Sequence, residues 1–335
     1  MFFQSGMHIK EVLGGSAVPS RWMVRNVQFL GRLANVQLED QKTPFPPGRT
    51  AIGVSPNTFQ KGVPPDPFSV LRWLNEFKEA CECVSGNYAG LPEAVDYFDT
   101  VCTDPGLPAD MRNAWPFFVY HCPSTTPPFK VGPKQARNAE VLYGKSKKMA
   151  AAIAHTLKAL HADGIVIRQL EMNNLRFCWV TRSYMIAEFF SLCRMGPVDA
   201  DPHRPPLCIK RHLSAPECFT DGARLSPATD VFAIAALLLD FLGVPFRPGD
   251  PPVSEGLVIN KLAAAENRFG FALKPEMSRA VKLALAANPA DRPASMGQFL
   301  TLFSGGEIRQ HNGPSSGHHG NRPNAPKKNP NMRKF

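Results

Sequence analysis

Along this chain the apolar positions change period several times, and each change marks an element. Between Phe68 and about Val84, the residues Val70, Leu71, Leu74, Phe77 and Cys81 recur at helical spacing behind the rigid run Pro64-Pro65-Asp66-Pro67, which predicts a helix. A second helix is expected over Lys145–His161, where Met149, Ile153, Leu157 and Leu160 form one stripe. Apolar runs of strand length are read at Ala94–Val101 and Phe117–Cys122. Two more, Leu175–Val180 and Met185–Phe190, follow the turn at Asp163-Gly164 and are spaced as a hairpin. The longest apolar run, Val231 to Leu239, stops at Asp240 and is far too short to span a membrane. Near the start a short strand is read at His8–Leu13, and the Gly14-Gly15 pair after it reads as a plain turn rather than a phosphate loop.

Composition sets the scale. A chain of 335 residues with 44% hydrophobic content can bury a full core, as one large domain or two small ones. The formal charge of +10 is unevenly spread. From Ser304 onward six basic residues (Arg309, Arg322, Lys327, Lys328, Arg333, Lys334) stand against Glu307, so this tail carries +5, half of the excess. Its only apolar residues are Ile308, Ala325, Met332 and Phe335, too few to bury a core. Two readings of it stay open: a basic arm for nucleic acid, membrane phosphates or an acidic partner, and a solvated, disordered end.

The eight cysteines lack the paired C-x-x-C spacing of a structural zinc site and read as reduced, mostly buried thiols. His155 and His161 have no second ligand one turn away and read as satisfied core or surface residues. The N-terminus lacks a basic leader followed by an apolar core, so a cytoplasmic protein is expected; an export signal that is not cleaved leaves no mark in this test.

The stretch from Leu160 to Gly196 carries the chemistry. It contains Ile167-Arg168-Gln169-Leu170-Glu171-Met172-Asn173-Asn174, then the hairpin, then Glu188-Phe189-Phe190. Downstream come Ala215-Pro216-Glu217, a helix opening at Ser226-Pro227-Ala228-Thr229-Asp230, and Asn288-Pro289-Ala290-Asp291-Arg292-Pro293. This layout resembles the eukaryotic-type protein kinase domain, with its catalytic loop H-R-D-L-x-x-x-N, its D-F-G and its A-P-E. The resemblance covers about residues 27 to 303 and is strongest from Leu160 onward.

The resemblance implies an α+β, two-lobed protein-kinase-like fold, with a small antiparallel-sheet N-lobe and a mainly helical C-lobe. The implied organisation is an N-terminal extension over 1–26, an N-lobe over 27–122, a C-lobe over 123–303 and a basic tail over 304–335. In the N-lobe, Leu30-Gly31-Arg32-Leu33-Ala34-Asn35-Val36 resembles the first hairpin, with Leu33 and Val36 at the later glycine positions of the phosphate loop, where side chains obstruct backbone approach. After Pro44-Phe45-Pro46-Pro47, Thr50-Ala51-Ile52-Gly53 resembles the V-A-I-K strand, with Gly53 in place of the phosphate-pairing lysine. Glu79, or Glu76 as the alternative, stands where the family's helix glutamate meets that lysine, and reads here as solvated or locally paired. The strand Phe117–Cys122 runs toward the hinge.

In the C-lobe the same comparison implies a loss of chemistry. Gln169 replaces the loop aspartate, and an amide cannot take up a proton near pH 7. Glu188 replaces the D-F-G aspartate that holds magnesium, and Phe190 replaces its glycine. Asn174 keeps its identity as a magnesium ligand. Arg176 falls where an apolar residue forms the floor under adenine, a place that offers a guanidinium no evident partner. The residues that organise the C-lobe are retained: Arg168, Phe189, Ala215, Pro216, Glu217, Asp230 and Arg292. Asp230 is expected to accept backbone hydrogen bonds from the loop, and Glu217 and Arg292 to form a buried, charge-assisted pair.

Random decay should not be so selective. The expectation is a pseudokinase, catalytically inactive, acting as a scaffold or regulator by binding another protein on the activation segment, Gly196 to Glu217, or on the C-lobe helices. No cofactor is expected, although weak binding of ATP or Mg²⁺ by Asn174 and Glu188 stays open. One alternative is a kinase-fold enzyme with residual nucleotide binding or atypical group transfer. The other is a nucleic-acid or anionic-surface binder working through the tail.

Overall fold

The computed structural model describes residues 22–30, 33–40, 49–56, 67–86, 88–100, 115–123, 125–126, 131–179, 181–198 and 209–306. The strand read at His8–Leu13, Gly14-Gly15, Gly31, the Pro44–Pro47 run, residues 199–208 of the activation segment and the tail from Glu307 lie outside them.

The N-lobe is a five-stranded antiparallel sheet. β1 (Trp22–Leu30), β2 (Leu33–Asp40), β3 (Arg49–Pro56), β4 (Glu93–Thr100) and β5 (Trp115–Pro123) take the order β1-β2-β3-β5-β4. The first strand starts at Trp22, ahead of Val27 where the resemblance begins. β4 and β5 shift register between Ala94 and Asp96, as a bulge does where a sheet must twist. Alternation fades in β5 because Phe117, Phe118, Val119 and Tyr120 are all buried. α1 (Pro67–Val84) buries Leu74, Phe77, Cys81 and Val84 at helical spacing.

After β6 (Thr125–Thr126) the chain enters α2 (Ala139–Ala162), whose Met149, Ile153, Leu157 and Leu160 are fully buried. The helix begins at Ala139 rather than at the expected Lys145. Asn138 caps it by accepting the Val141 N–H, and Glu140 lies in its first turn. A good cap contributes about 1 kcal/mol, which offsets the cost of Gly144 inside the helix.

β7 (Ile165–Val166), β8 (Leu175–Cys178), β9 (Ser183–Ile186), β10 (Cys193–Arg194), β11 (Gly196–Pro197) and β12 (Arg224–Leu225) are short. β6, β8 and β9 form a three-stranded sheet, while β7 pairs with β10 and β11 with β12. Four helices close the C-lobe: α3 (Pro227–Phe241), α4 (Glu255–Phe269), α5 (Pro275–Ala284) and α6 (Met296–Phe303).

α3 is its axis. Residues Val231 to Leu239 are buried on every side, so this stretch is apolar all round rather than striped. Burying each Val, Leu, Ile or Phe there stabilises the fold by roughly 1.5–3 kcal/mol. The helix starts at Pro227, and Thr229 Oγ1 accepts the N–H of the N-cap residue Ser226. Among the described residues no helix is long and apolar enough to cross a membrane.

Candidate functional site: the loop between two lobes

The loop 167–174 is held from beneath by the two ends of α3. At its first turn, Asp230 is fully buried and accepts the Ile167 N–H on both oxygens at 3.0 Å and the Arg168 N–H at 2.9 Å. His161 Nε2 lies 2.8 Å from Asp230 Oδ2 and donates to it. Near the other end Asp240 Oδ2 accepts the Met172 N–H at 2.8 Å. A buried carboxylate is tolerated where donors surround it, and these donors are the backbone of the loop. They hold Arg168 at φ 61°, a left-handed conformation that a non-glycine residue rarely adopts, and its Nε donates to Ser191 O at 2.9 Å.

On the upper side of the loop, Gln169 is buried and both ends of its amide are occupied. Its Oε1 accepts the backbone N–H of Lys210, which fixes the amide orientation, and its Nε2 donates to Glu171 Oε1 at 3.2 Å. Lys210 Nζ also reaches Glu171 Oε1, at 2.7 Å. The activation segment is thereby fastened to the loop where an acid would meet a substrate hydroxyl. The Lys210–Glu171 pair is half in solvent and contributes about 0–1 kcal/mol.

Asn174 and Glu188 are brought together across the β8–β9 hairpin. Asn174 Nδ2 donates to Glu188 Oε2 at 3.1 Å, and Asn174 Oδ1 accepts the Glu171 N–H at 3.0 Å. The Asn174 backbone carbonyl accepts from Ala187 N at 2.7 Å and Glu188 N at 3.2 Å. Burial pushes the Glu188 carboxyl above its ordinary value, and the Arg176 charge and the Asn174 amide pull it back part of the way. Arg176 does have partners, against the sequence expectation. Its Nη1 donates to Asn173 O at 2.8 Å and to Leu175 O at 2.7 Å, so the guanidinium is satisfied by the carbonyls of its own turn.

The two phenylalanines of Glu188-Phe189-Phe190 are packing residues. Phe189 is fully buried, edge-on to Phe118 at 5.7 Å and to Tyr120 at 5.4 Å between ring centroids. Phe190 stacks on Phe77 of α1, at 5.5 Å and nearly parallel. A ring at the glycine position therefore ties α1 to the C-lobe. Glu79 adds a second tie, accepting the Arg194 N–H of β10 at 2.9 Å. This partner is 115 residues away, which corrects the reading of Glu79 as solvated or locally paired. Glu76 bonds Arg72 one turn back at 3.4 Å. Gly53 lies on β3 between Val36 of β2 and Val119 of β5.

Away from the cleft, Glu217 and Arg292 form a bidentate pair, at 2.6 and 3.0 Å, with both side chains almost wholly buried. The guanidinium also donates to the carbonyls of Ala286, Ala287 and Ala228 and lies over the Phe232 ring. Ala215 and Pro216 lead Glu217 into a 3-10 turn. Five cysteines, Cys81, Cys83, Cys178, Cys193 and Cys218, are buried and free, and burial raises the Cys83 and Cys193 thiols to about 12.

The structure thus gathers Gln169, Asn174 and Glu188 on one rim, with Arg168 and Asp230 beneath, and sets Glu217–Arg292 apart as a brace. Sequence reasoning missed Lys210, Glu171 and His161 as partners. The pattern of helices and strands carries no signal for a contact such as Lys210 to Gln169, 41 residues apart. Among the described residues no group of three His, Cys, Asp or Glu side chains could hold a metal ion.

No protein-family model matches the chain, and no curated protein does. Among solved structures, the kinase domain of PknI from Mycobacterium tuberculosis is similar, with a TM-score of 0.53 and 14% identity over 91% of this chain and 99% of that one. A double-mutant form of the same domain gives 0.52 and 15% over the same shares. At such identity the likeness speaks for architecture alone, and with the two lobes and the loop geometry described above it establishes that this chain has a protein-kinase-like fold.

Proposed function

We propose that the chain is a pseudokinase, a kinase-like scaffold that transfers no phosphoryl group and acts by binding another protein. One observation carries the reading: the side chain at the catalytic-loop position is an amide, tied at one end to Lys210 and at the other to Glu171. It can neither accept a proton nor swing free to orient a hydroxyl without breaking buried hydrogen bonds. Gly53 on β3 supports it, because a glycine offers no charge to pair with phosphates. The docking faces are the activation segment from Gly196 to Glu217 and the C-lobe helices, which the Glu217–Arg292 brace holds rigid.

The test is phosphoryl transfer from γ-labelled ATP, to the chain itself and to a mixed set of Ser, Thr and Tyr peptides, with Mg²⁺ or Mn²⁺. Incorporation at the level of a no-protein control is expected. Incorporation above it that is lost in Glu188→Ala overturns the reading. A thermal-shift titration with ATP, ADP and GTP accompanies it. A nucleotide bound at 100 times its Kd would add about 2.7 kcal/mol of stability, and no metal-dependent rise in melting temperature is expected.

A further inference from the structure

A scaffold without phosphotransfer can still keep a metal site, so the fit of Asn174 and Glu188 to a divalent cation is a separate question. Hard cations such as Mg²⁺ and Mn²⁺ take oxygen ligands. The side-chain oxygen of Asn174 faces the Glu171 N–H, a donor that cannot be anything else, at 3.0 Å. The amide nitrogen is therefore the atom turned to Glu188, at 3.1 Å. Two N–H donors thus stand on the side from which a shared cation would have to be approached. Turning the amide over to present its oxygen would break the bond that ties the start of the 172–174 turn and leave the Glu171 N–H without its partner. Glu188 has only Oε1 left outside this bond.

The positive charge beside Glu188 is already supplied by the chain. Arg176 is on β8, two residues after Asn174, and its guanidinium is pinned by the Asn173 and Leu175 carbonyls at 2.8 and 2.7 Å. Its charge acts on Glu188 more strongly than that of Lys210, the other cation near the carboxylate. A guanidinium is permanently charged and satisfied by planar acceptors, so it can stay where a metal would need a shell of oxygens.

From this geometry we infer that Arg176 takes the place of the divalent cation in this cleft: it is the built-in counter-ion of Glu188, and the Asn174–Glu188 pair is a closed hydrogen bond rather than a metal site. A nucleotide or other anion entering the cleft then binds without a metal bridge. The disagreement with the metal that the fold implies lies in two features, the amide orientation of Asn174 and the guanidinium of Arg176.

Mn²⁺ alone is the probe, read by the loss of its free EPR signal on titration into the full-length chain. The wild-type chain is expected to leave the signal unchanged at millimolar Mn²⁺. Arg176→Met removes the counter-ion, frees Glu188, and is expected to gain one saturable Mn²⁺ site, which Arg176→Met combined with Glu188→Gln loses again. Arg176→Lys keeps a charge and is expected to stay without the site. If Arg176→Met does not fold, judged by circular dichroism, Arg176→Gln replaces it. A saturable site in the wild-type chain that Glu188→Gln abolishes overturns the inference. So does a folded, neutral Arg176 variant that gains no site. Neither result depends on phosphoryl transfer, so this test and that of the proposed function can fail separately.

Discussion

The loop 167–174 has two faces, and they differ in what their polar groups are for. Underneath, Asp230 and Asp240 at the two ends of α3 are spent on the backbone, taking the N–H groups of Ile167, Arg168 and Met172. On top, Gln169, Asn174 and Glu188 are spent on neighbouring side chains and on the activation segment. In the kinase arrangement that the sequence resembles, the lower face exists to hold the upper one in a reactive posture. Here the posture remains and the reactive groups have been exchanged for groups that bond to one another. The lower face and the Glu217–Arg292 brace determine whether the lobe folds, whereas the upper face determines only what it can do. A chain can therefore lose the second while keeping the first.

The largest effect is expected at the brace. Arg292→Ala leaves the Glu217 carboxylate buried and unpaired and deprives three carbonyls of their donor. Breaking one partner of such a pair costs about 3–5 kcal/mol, read as a fall in the urea midpoint. Replacing both residues by apolar side chains of similar volume should cost less than Arg292→Ala, because no lone charge then remains. If the double replacement costs as much, packing around Phe232 rather than charge pairing explains the brace.

Next comes the lower face. Asp230→Asn keeps the size but turns one acceptor into a donor, set against the N–H groups of Ile167 and Arg168 and against His161. An unsatisfied buried donor costs about 1–3 kcal/mol, and the strained Arg168 backbone should loosen with it. Hydrogen exchange at the Ile167 and Arg168 amides is expected to accelerate ahead of global unfolding. Protection unchanged from wild type would mean that the loop is held from above.

Much of this architecture was legible in the residues because it depends on local rules. The stripe Met149, Ile153, Leu157, Leu160 is the buried face of α2, and the run Val231 to Leu239 is buried all round. The pairing of Glu217 with Arg292 could be written down from two short motifs. What was not legible depends on distant partners or on which way a side chain folds. Arg176 turned back to its own carbonyls, Glu79 went to β10, and Phe190, expected only to remove freedom from the backbone, became the ring that meets Phe77. The start of α2 was misplaced because Gly144 masks the helical pattern, while the cap at Asn138 lies beyond it.

A smaller effect, and a sharper test of the comparison, is to put the acid back. Gln169→Asp keeps an oxygen for the Lys210 N–H but loses the donor to Glu171 and sets two carboxylates together. A cost of about 1 kcal/mol is expected in melting temperature. No phosphoryl transfer should return, because Gly53 and the Asn174–Glu188 hydrogen bond are untouched. Transfer gained by this single change would show that the upper face lacks nothing but its base.

The smallest effect tests the charge on the upper face, and its sign depends on pH. Burial is the main influence on Glu188 and raises its pKa above the ordinary 4.5. The folded chain therefore holds this proton where the unfolded chain has released it. Stability falls as pH rises from the unfolded value through the folded one, and a constant penalty remains above that window. Below 4.5 both states are protonated and the penalty is absent. In Glu188→Gln the side-chain oxygen can still accept from Asn174 Nδ2 while the charge is gone, so the variant should be slightly more stable than wild type at neutral pH and equal to it in acid. Urea unfolding at the two pH values checks this. A variant less stable than wild type at neutral pH would mean that attraction to Arg176 exceeds the cost of burying the carboxylate. The counter-ion would then stabilise the fold as well as fill the place of a metal.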